Sequence, residues 1–340
     1  MSDINRSKVA NFYSGKSVFV TGGTGFLGKV RKSWLVFHLA ATIAFKLPLN
    51  EAMRSNINGT ENVIELCRLM KKLEAFVHVS TAFTNADRKE IDEIVYPMPM
   101  NLESARLFAD MYSHDEGIIN KFLGKRKKPN TYTFSKAFAE ELVMKQCKDL
   151  PAAIVRPSIV VSAQKEPCPG WIDAWSACTG LFVGMSSGVL KVAKGRGSNV
   201  TDLVPVDIVT NLLIVAATEC RKSTQIKVYN CCTGGSNPIT CDQANTITRK
   251  VALKYSLRVY FNAWVQMKLQ SKLKKVVEAV KFFLLNEWKF SDNNIRNLFE
   301  KMTPEDKVTF NFDVKTINWE TCIRDYVLGS RKYLLPEKQK

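Results

Sequence analysis

Tyr132 and Lys136 are one helical turn apart in Asn130-Thr131-Tyr132-Thr133-Phe134-Ser135-Lys136, so a helix here sets both on one face. An ammonium beside a phenol favours the phenolate, which makes the hydroxyl a better proton donor to a developing alkoxide near neutral pH. Alone, this spacing is common on solvated helix faces, and its meaning comes from two other stretches. His78-Val79-Ser80-Thr81-Ala82 ends an apolar run. It places hydroxyls just past a strand's carboxyl end, where open α/β sheets bind ligands and where Thr81 can hydrogen-bond a substrate carbonyl oxygen. Ser17-Val18-Phe19-Val20 runs into Thr21-Gly22-Gly23-Thr24-Gly25-Phe26-Leu27-Gly28. Glycines at these spacings permit a tight turn, let backbone N–H groups reach a pyrophosphate and let the next helix pack closely, so a dinucleotide is expected there. Three His and no Cys-x-x-Cys leave no zinc spacing, and no metal is expected.

The elements that must position these residues alternate. β-rich runs at Ser17 to Val20, Trp34 to Leu39, Ala75 to Val79, Ile154 to Val161 and Ile226 to Cys231 predict buried strands, with helices over Glu51 to Lys71, Phe134 to Cys147 and Asp207 to Ala217. That pattern is α/β, a doubly wound parallel sheet. Further on, Phe261, Val265, Leu269, Leu273, Val276, Val280 and Leu284 follow helical spacing with lysines between them, and Thr303-Pro304-Glu305-Asp306 has the form of a capped helix start. The expected division is a sheet domain over residues 11–245 and a small helical domain over 249–340. A chain of 340 residues has room for both.

Composition sets outer bounds. The 49 Lys and Arg against 32 Asp and Glu leave a net charge of +17, a surface that attracts phosphates or an anionic membrane. Nine Cys without a dense framework fit reduced thiols in a cytosolic setting. The polar opening Met1 to Arg6 lacks the apolar core of a signal peptide, and Trp34 to Phe45 is too short to span a bilayer, so secretion is not expected. Lys125-Arg126-Lys127-Lys128 reads as a solvated loop rather than a nucleic-acid site, with contact to the phosphates of a ligand as its functional alternative.

The chain resembles the extended short-chain dehydrogenases and, more narrowly, the alcohol-forming fatty acyl-CoA reductases. Besides the glycine loop and the Tyr132/Lys136 pair, the resemblance rests on Val36-Phe37-His38-Leu39-Ala40-Ala41-Thr42, Asn56-Ile57-Asn58-Gly59-Thr60, Phe76 to Ala82, Val155-Arg156-Pro157-Ser158-Ile159-Val160, Pro169 to Asp173 and Asp202 to Val209. Asn286-Glu287-Trp288-Lys289-Phe290 and Phe310-Asn311-Phe312-Asp313 are similar to that family's own second domain. The resemblance covers nearly the whole chain. It implies reduction of a long-chain acyl-CoA by NADPH, through an aldehyde, to a fatty alcohol and CoA. It also implies Thr81, Tyr132 and Lys136 as the catalytic set, and Thr21, Gly22, Gly25, Phe26, Leu27, Gly28, Ala40, Ala41, Tyr132, Lys136, Pro157 and Ser158 around the cofactor. Association with a membrane surface follows from it too, at the peroxisome or endoplasmic reticulum and facing the cytosol. No nucleic-acid partner is expected.

Two departures from the family qualify this. Only residues 29–33 separate Gly28 from Trp34, where the family has a helix and two further strand and helix units. Strands two and three of the sheet are therefore expected to be missing, and the residue that reads the adenine ribose has no place. A second gap is expected between about Ser256 and Lys274. Two other readings stay open: another extended short-chain dehydrogenase acting on sugar nucleotides or sterols, and a non-catalytic protein of membrane surfaces.

Overall fold

The computed structural model describes residues 7–22, 34–222, 225–255 and 263–335, with side chains described outside 263–269. The strands used below are β1 (Val18–Thr21), β2 (Leu35–His38), β3 (Ala75–Val79), β4 (Ala152–Pro157), β5 (Ile159–Val161), β6 (Leu203–Pro205) and β7 (Lys227–Cys231). The helices used below are α1 (Gly59–Leu69), α2 (Thr131–Gln146), α3 (Ala177–Ser186), α4 (Cys241–Lys254), α5 (Ala263–Leu285) and α6 (Trp319–Leu334). Two compact units share the chain in an interleaved way: Met1–Ser158, Thr210–Cys231 and Phe290–Phe312 form one, and Ile159–Val209, Cys232–Lys289 and Asp313–Lys340 the other.

The first unit holds a five-stranded, fully parallel sheet in the order β1-β2-β3-β4-β7. Side chains alternate between faces along a strand, and here both faces are buried: Val36, Phe76, Ala152, Ile154 and Val228 join one core cluster, while Leu35, Phe37, Ala75 and Val77 on the opposite face are buried as well. That explains the unbroken apolar runs in the sequence. The cluster extends to Val63 and Ile64 of α1 and to Phe134, Phe138, Leu142 and Val143 of α2. In register, His38 of β2 pairs with His78 of β3 and His78 with Ile154 of β4, so both imidazoles lie on this α2-covered face. At the other end of the order, β1 pairs with β2 alone among the described residues, and Phe19 is 38% exposed. The Rossmann-type sheet thus ends where strands two and three were expected to be missing.

Local chemistry sets the element boundaries. The helix read over Glu51 to Lys71 is α-helical at Leu49–Met53, turns π-helical over Arg54–Asn58 and resumes as α1. α2 starts earlier than the apolar pattern suggested because the Asn130 side chain caps it, accepting from the Thr133 N–H. The single strand read over Ile154 to Val161 is two strands. The Ser158 N–H bonds to the Cys231 carbonyl and the Ile159 N–H to the Asp202 carbonyl, so the chain changes partners there and β5 pairs with β6 in a separate parallel ribbon. The Thr303 cap forms as read, accepting from the Asp306 N–H ahead of Pro304–Thr309.

In the second unit, α3 packs against α5 and α4 against α6. Gly180 and Gly184 face Val276 and Leu273, the close approach that a bare glycine allows, and the Tyr326 hydroxyl donates to Thr179 Oγ1 at 2.9 Å. The second expected gap falls partly on 256–262, outside the described residues. Among the described residues no helix is long and apolar enough to cross a membrane.

Candidate active site

Because the strands of the five-stranded sheet are all parallel, their carboxyl ends share one edge, and the expected site residues gather there. Thr21 ends β1 and Gly22 follows it, Ala40 and Ala41 follow β2, Ser80 and Thr81 follow β3, and Pro157 ends β4 with Ser158 next. Gly22 has φ +73°, and a Cβ on it would lie 2.8 Å from the Ala40 nitrogen, so only glycine fits where β1 turns beside the loop after β2. Gly25, Phe26, Leu27 and Gly28 lie outside the described residues.

α2 brings Tyr132 and Lys136 to this edge. The Thr131 hydroxyl donates to the Leu47 carbonyl at 3.0 Å, and the Tyr132 ring lies 5.9 Å from that of Phe45. The Thr81 side chain acts on the Tyr132 phenol, so the hydroxyls read separately from two motifs come to one place. Burial pushes the phenol up to about 12, the Thr81 hydroxyl pulls the other way, and the Glu140 carboxylate adds to the rise. The lowered phenol pKa expected from a neighbouring ammonium is therefore not what the chain shows by itself, because burial dominates. The Lys136 ammonium is directed elsewhere: 1% exposed, it donates to the Val79 carbonyl at 2.7 Å and lies 3.3 Å from His78 Nε2. Burial lowers its pKa to about 8, against the raising effect of Glu140.

Sequence reasoning missed three supports of this pair. The first is a polar chain under α2. The Thr60 hydroxyl donates to the Asn56 carbonyl at 2.7 Å, so at 3.0 Å from His38 Nε2 its oxygen must accept the imidazole N–H. His38 Nδ1 is then the acceptor for the Thr21 hydroxyl at 2.6 Å, which ties β1 beside Gly22 to α1. Burial, with the Lys136 charge behind it, lowers the His38 pKa to about 3, so the ring is neutral. Asn56 Nδ2 also donates to Ser135 Oγ of α2 at 2.9 Å, while its oxygen accepts from the Thr42 N–H. Both His38 and Asn56 sat within quoted motifs without a role.

The second support is Glu140, one further turn along the face of Tyr132 and Lys136, a spacing visible in the sequence. Its carboxylate takes Arg156 Nε and a terminal guanidinium nitrogen, both at 2.7 Å, in a pair buried to 1% or less. The third is Lys128, whose ammonium donates to the Thr84 carbonyl and to Asp87 Oδ1, both at 2.7 Å. It fixes the turn after Thr81 to the start of α2. This corrects the reading of Lys125 to Lys128 as one solvated run: Lys125 and Lys127 are exposed, Arg126 stacks 3.7 Å over the Phe122 ring, and Lys128 is buried.

The Lys136 environment has a consequence for stability. Its folded pKa of about 8 lies below the ordinary 10.5, so between those values the unfolded chain binds more protons and stability gains from rising pH. Below pH 8 the full penalty of the buried charge is present. Lys136→Met removes the titration, so the stability advantage of the variant should be largest below pH 8 and shrink toward pH 10.5, by at most about 1.4 kcal/mol per pH unit. Urea midpoints of both proteins across this range measure it; a constant difference would mean that the ammonium ionises as a solvated lysine does.

A phenol beside a threonine hydroxyl, on the same helix face as a buried ammonium and at the ligand-binding edge of a parallel sheet, can polarise a carbonyl and protonate the resulting alkoxide. Ser80 Oγ and Ser158 Oγ are buried there with no hydrogen-bond partner among the described residues, two free hydroxyls at the ends of adjacent strands. Gly22, the paired hydroxyls and these serines fit the nicotinamide side of a dinucleotide.

Comparison with known proteins agrees with the geometry. Family models described as Male sterility protein match residues 30–213, with an NAD-binding model, and residues 248–337. Fatty acyl-CoA reductase 1 of Xenopus laevis is 34% identical over 347 positions, covering 89% of this chain and 67% of the relative. Those 347 positions exceed the 340 residues of the whole chain, so the relative carries residues inside the match that this chain lacks. Among solved structures, epimerase Mth375 of Methanothermobacter thermautotrophicus matches with a TM-score of 0.61 at 13% identity, covering 97% of this chain and 96% of that one. RMD of Pseudomonas aeruginosa, solved with NADPH, matches with a TM-score of 0.54 at 14% identity, covering 93% and 99%.

Proposed function

The chain belongs to the fatty acyl-CoA reductase family, a branch of the extended short-chain dehydrogenases, and on that premise we propose that its Thr81, Tyr132 and Lys136 serve the reduction of a long-chain acyl-CoA by NADPH, through an aldehyde, to a fatty alcohol with release of CoA. The observation that carries this reading is the Thr81 and Tyr132 hydroxyl pair at the carboxyl edge of the sheet, with Lys136 buried on the same helix face. Thr81 and Tyr132 would receive the thioester or aldehyde oxygen, and Tyr132 would give it a proton as negative charge builds there. Lys136, held against β3, would supply positive charge beneath the site. Thr21, Gly22, Ala40, Ala41, Pro157 and Ser158 would hold the dinucleotide with Tyr132 and Lys136. Once bound, NADPH supplies the hydride for each of the two reductions.

The net charge of +17 suits two polyanionic ligands, and it supports attachment to an anionic membrane surface of the peroxisome or endoplasmic reticulum, on the cytosolic side. Among the described residues β1 has a strand partner on one side alone, which favours a second reading for the chain as it stands, a protein of this family with little or no turnover.

The test is an assay of NADPH oxidation with palmitoyl-CoA or stearoyl-CoA, with CoA thiol release measured in parallel. It is run on this chain and on the same sequence with a relative's segment restored after Gly28. Two NADPH consumed per CoA released in the restored form is the expected result. Absence of thioester reduction there, with sugar-nucleotide or sterol turnover in its place, would overturn the assignment.

A further inference from the structure

We propose that His78 is a positioning residue for Lys136: a neutral, buried imidazole whose Nε2 accepts from the Lys136 ammonium and holds it against β3. The turnover consequences rest on the reductase reading, whereas the contact itself does not. An ammonium has only donors, so at 3.3 Å His78 Nε2 must be the acceptor and the ring hydrogen sits on Nδ1. That Nδ1 has no hydrogen-bond partner among the described residues, in a ring that is fully buried. Along this face of the sheet the neighbours Val36, Phe76 and Ile154 are apolar and bury without such a cost. An imidazole with one nitrogen left unsatisfied is a poor choice for packing. What it provides, and a leucine could not, is the acceptor.

The charged and titratable groups around the ammonium leave it few alternatives. On its own helix, Glu140 is taken up by Arg156 of β4. Tyr132, also on α2, makes no hydrogen bond to the ammonium and has the Thr81 hydroxyl beside its phenol. His38 on β2 has both ring nitrogens engaged, with Thr21 and Thr60. The acceptors within hydrogen-bond distance are the Val79 carbonyl, which backbone geometry fixes, and His78. Burial and the adjacent ammonium hold the imidazole well below its ordinary pKa, so it stays an acceptor throughout the working range. Losing it would leave a buried charge with one bond fewer. The amine would give up its proton at lower pH, and Tyr132 would face a neutral neighbour.

Lysine labelled with ¹³C at Cε reads the amine directly in the chain as it exists, with Lys136→Met assigning the resonance. His78→Phe keeps a ring and removes the acceptor, and His78→Gln keeps an acceptor oxygen. The Lys136 midpoint is expected to fall by about one pH unit, tenfold in the protonation equilibrium, in His78→Phe and to return close to the parent in His78→Gln. His78→Leu serves if the phenylalanine variant does not fold. An unchanged midpoint in the apolar variant, or a Gln variant that falls as far as Phe, would overturn the proposal. In a form that turns over acyl-CoA, the alkaline limb of kcat should move by the same amount. If no form turns over, the reductase reading fails while the titration still decides this one.

Discussion

Insertion after the glycine loop of the two strand and helix units that the family resemblance implies is expected to tighten NADPH binding by roughly 100-fold or more and to bring acyl-CoA turnover from little or none to a measurable rate. The reasoning begins at β1. In a doubly wound sheet of order 3-2-1-4-5-6, strands two and three lie beyond strand one and wall the adenosine half of the dinucleotide crevice. Here β1 has β2 as its partner among the described residues, Phe19 is partly exposed, and the aligned relative has more residues than this chain can match. Gly22 is shaped for a close backbone approach, so part of the phosphate turn survives. The missing contacts are those to the adenine ribose and its phosphate, where each hydrogen bond to a charged group contributes about 1.5–3 kcal/mol. Two such bonds account for the expected change. Calorimetric titration of NADPH into both forms measures it, and equal affinity and turnover would show that the segment is dispensable. An open, apolar strand edge also predicts that the unrestored form self-associates more readily, since its backbone groups can pair with another chain.

What was legible in the sequence depended on how local the determinant was. The parallel strands were visible because strands buried on both faces read as continuous apolar runs, Leu35 to Phe37 and Ala75 to Val77 being the clearest. The edge position of β1 among the described residues was legible from the five residues between Gly28 and Trp34. The break at Ser158 was not, because the apolar run continues through it and only the change of hydrogen-bond partner, from Cys231 to Asp202, divides β4 from β5. The helices Leu102–Met111 and Glu116–Lys125 were missed although Asn101 and Asp115 cap them, since each runs for only ten residues.

The site shows the same division. Tyr132, Lys136 and Thr81 were found by spacing and by strand ends. Their supports were hidden because each depends on a tertiary partner: Glu140 on Arg156, Lys128 on the turn after Thr81, and His78 on Lys136. The electrostatics were the least legible part. Pairing a phenol with an ammonium suggested a lowered phenol pKa, yet burial raises Tyr132 and lowers Lys136, moving both groups toward their neutral forms.

Tyr132→Phe, made in the form with the segment restored, should lower kcat by about 10² to 10⁴-fold, the range in which positioned proton donors contribute. The substitution removes one oxygen and keeps the ring, so the contact with Phe45 and the capped start of α2 should persist. Loss of a single hydroxyl contact costs about 1 kcal/mol of stability, too little to unfold a domain. NADPH affinity should stay within about twofold, because the glycine turn and the β4 end are untouched, whereas Lys136→Ala should lose both affinity and turnover. Turnover by NADPH absorbance, cofactor affinity by calorimetry and folding by thermal melt separate the possibilities. Equal losses of affinity and turnover in Tyr132→Phe would assign the residue to folding, and an unaltered cofactor affinity in Lys136→Ala would count against contact between the ammonium and the ribose. Retention of full turnover in the phenylalanine variant would leave Thr81 as the proton donor, and the hydroxyl pair would then have to be read in the opposite sense.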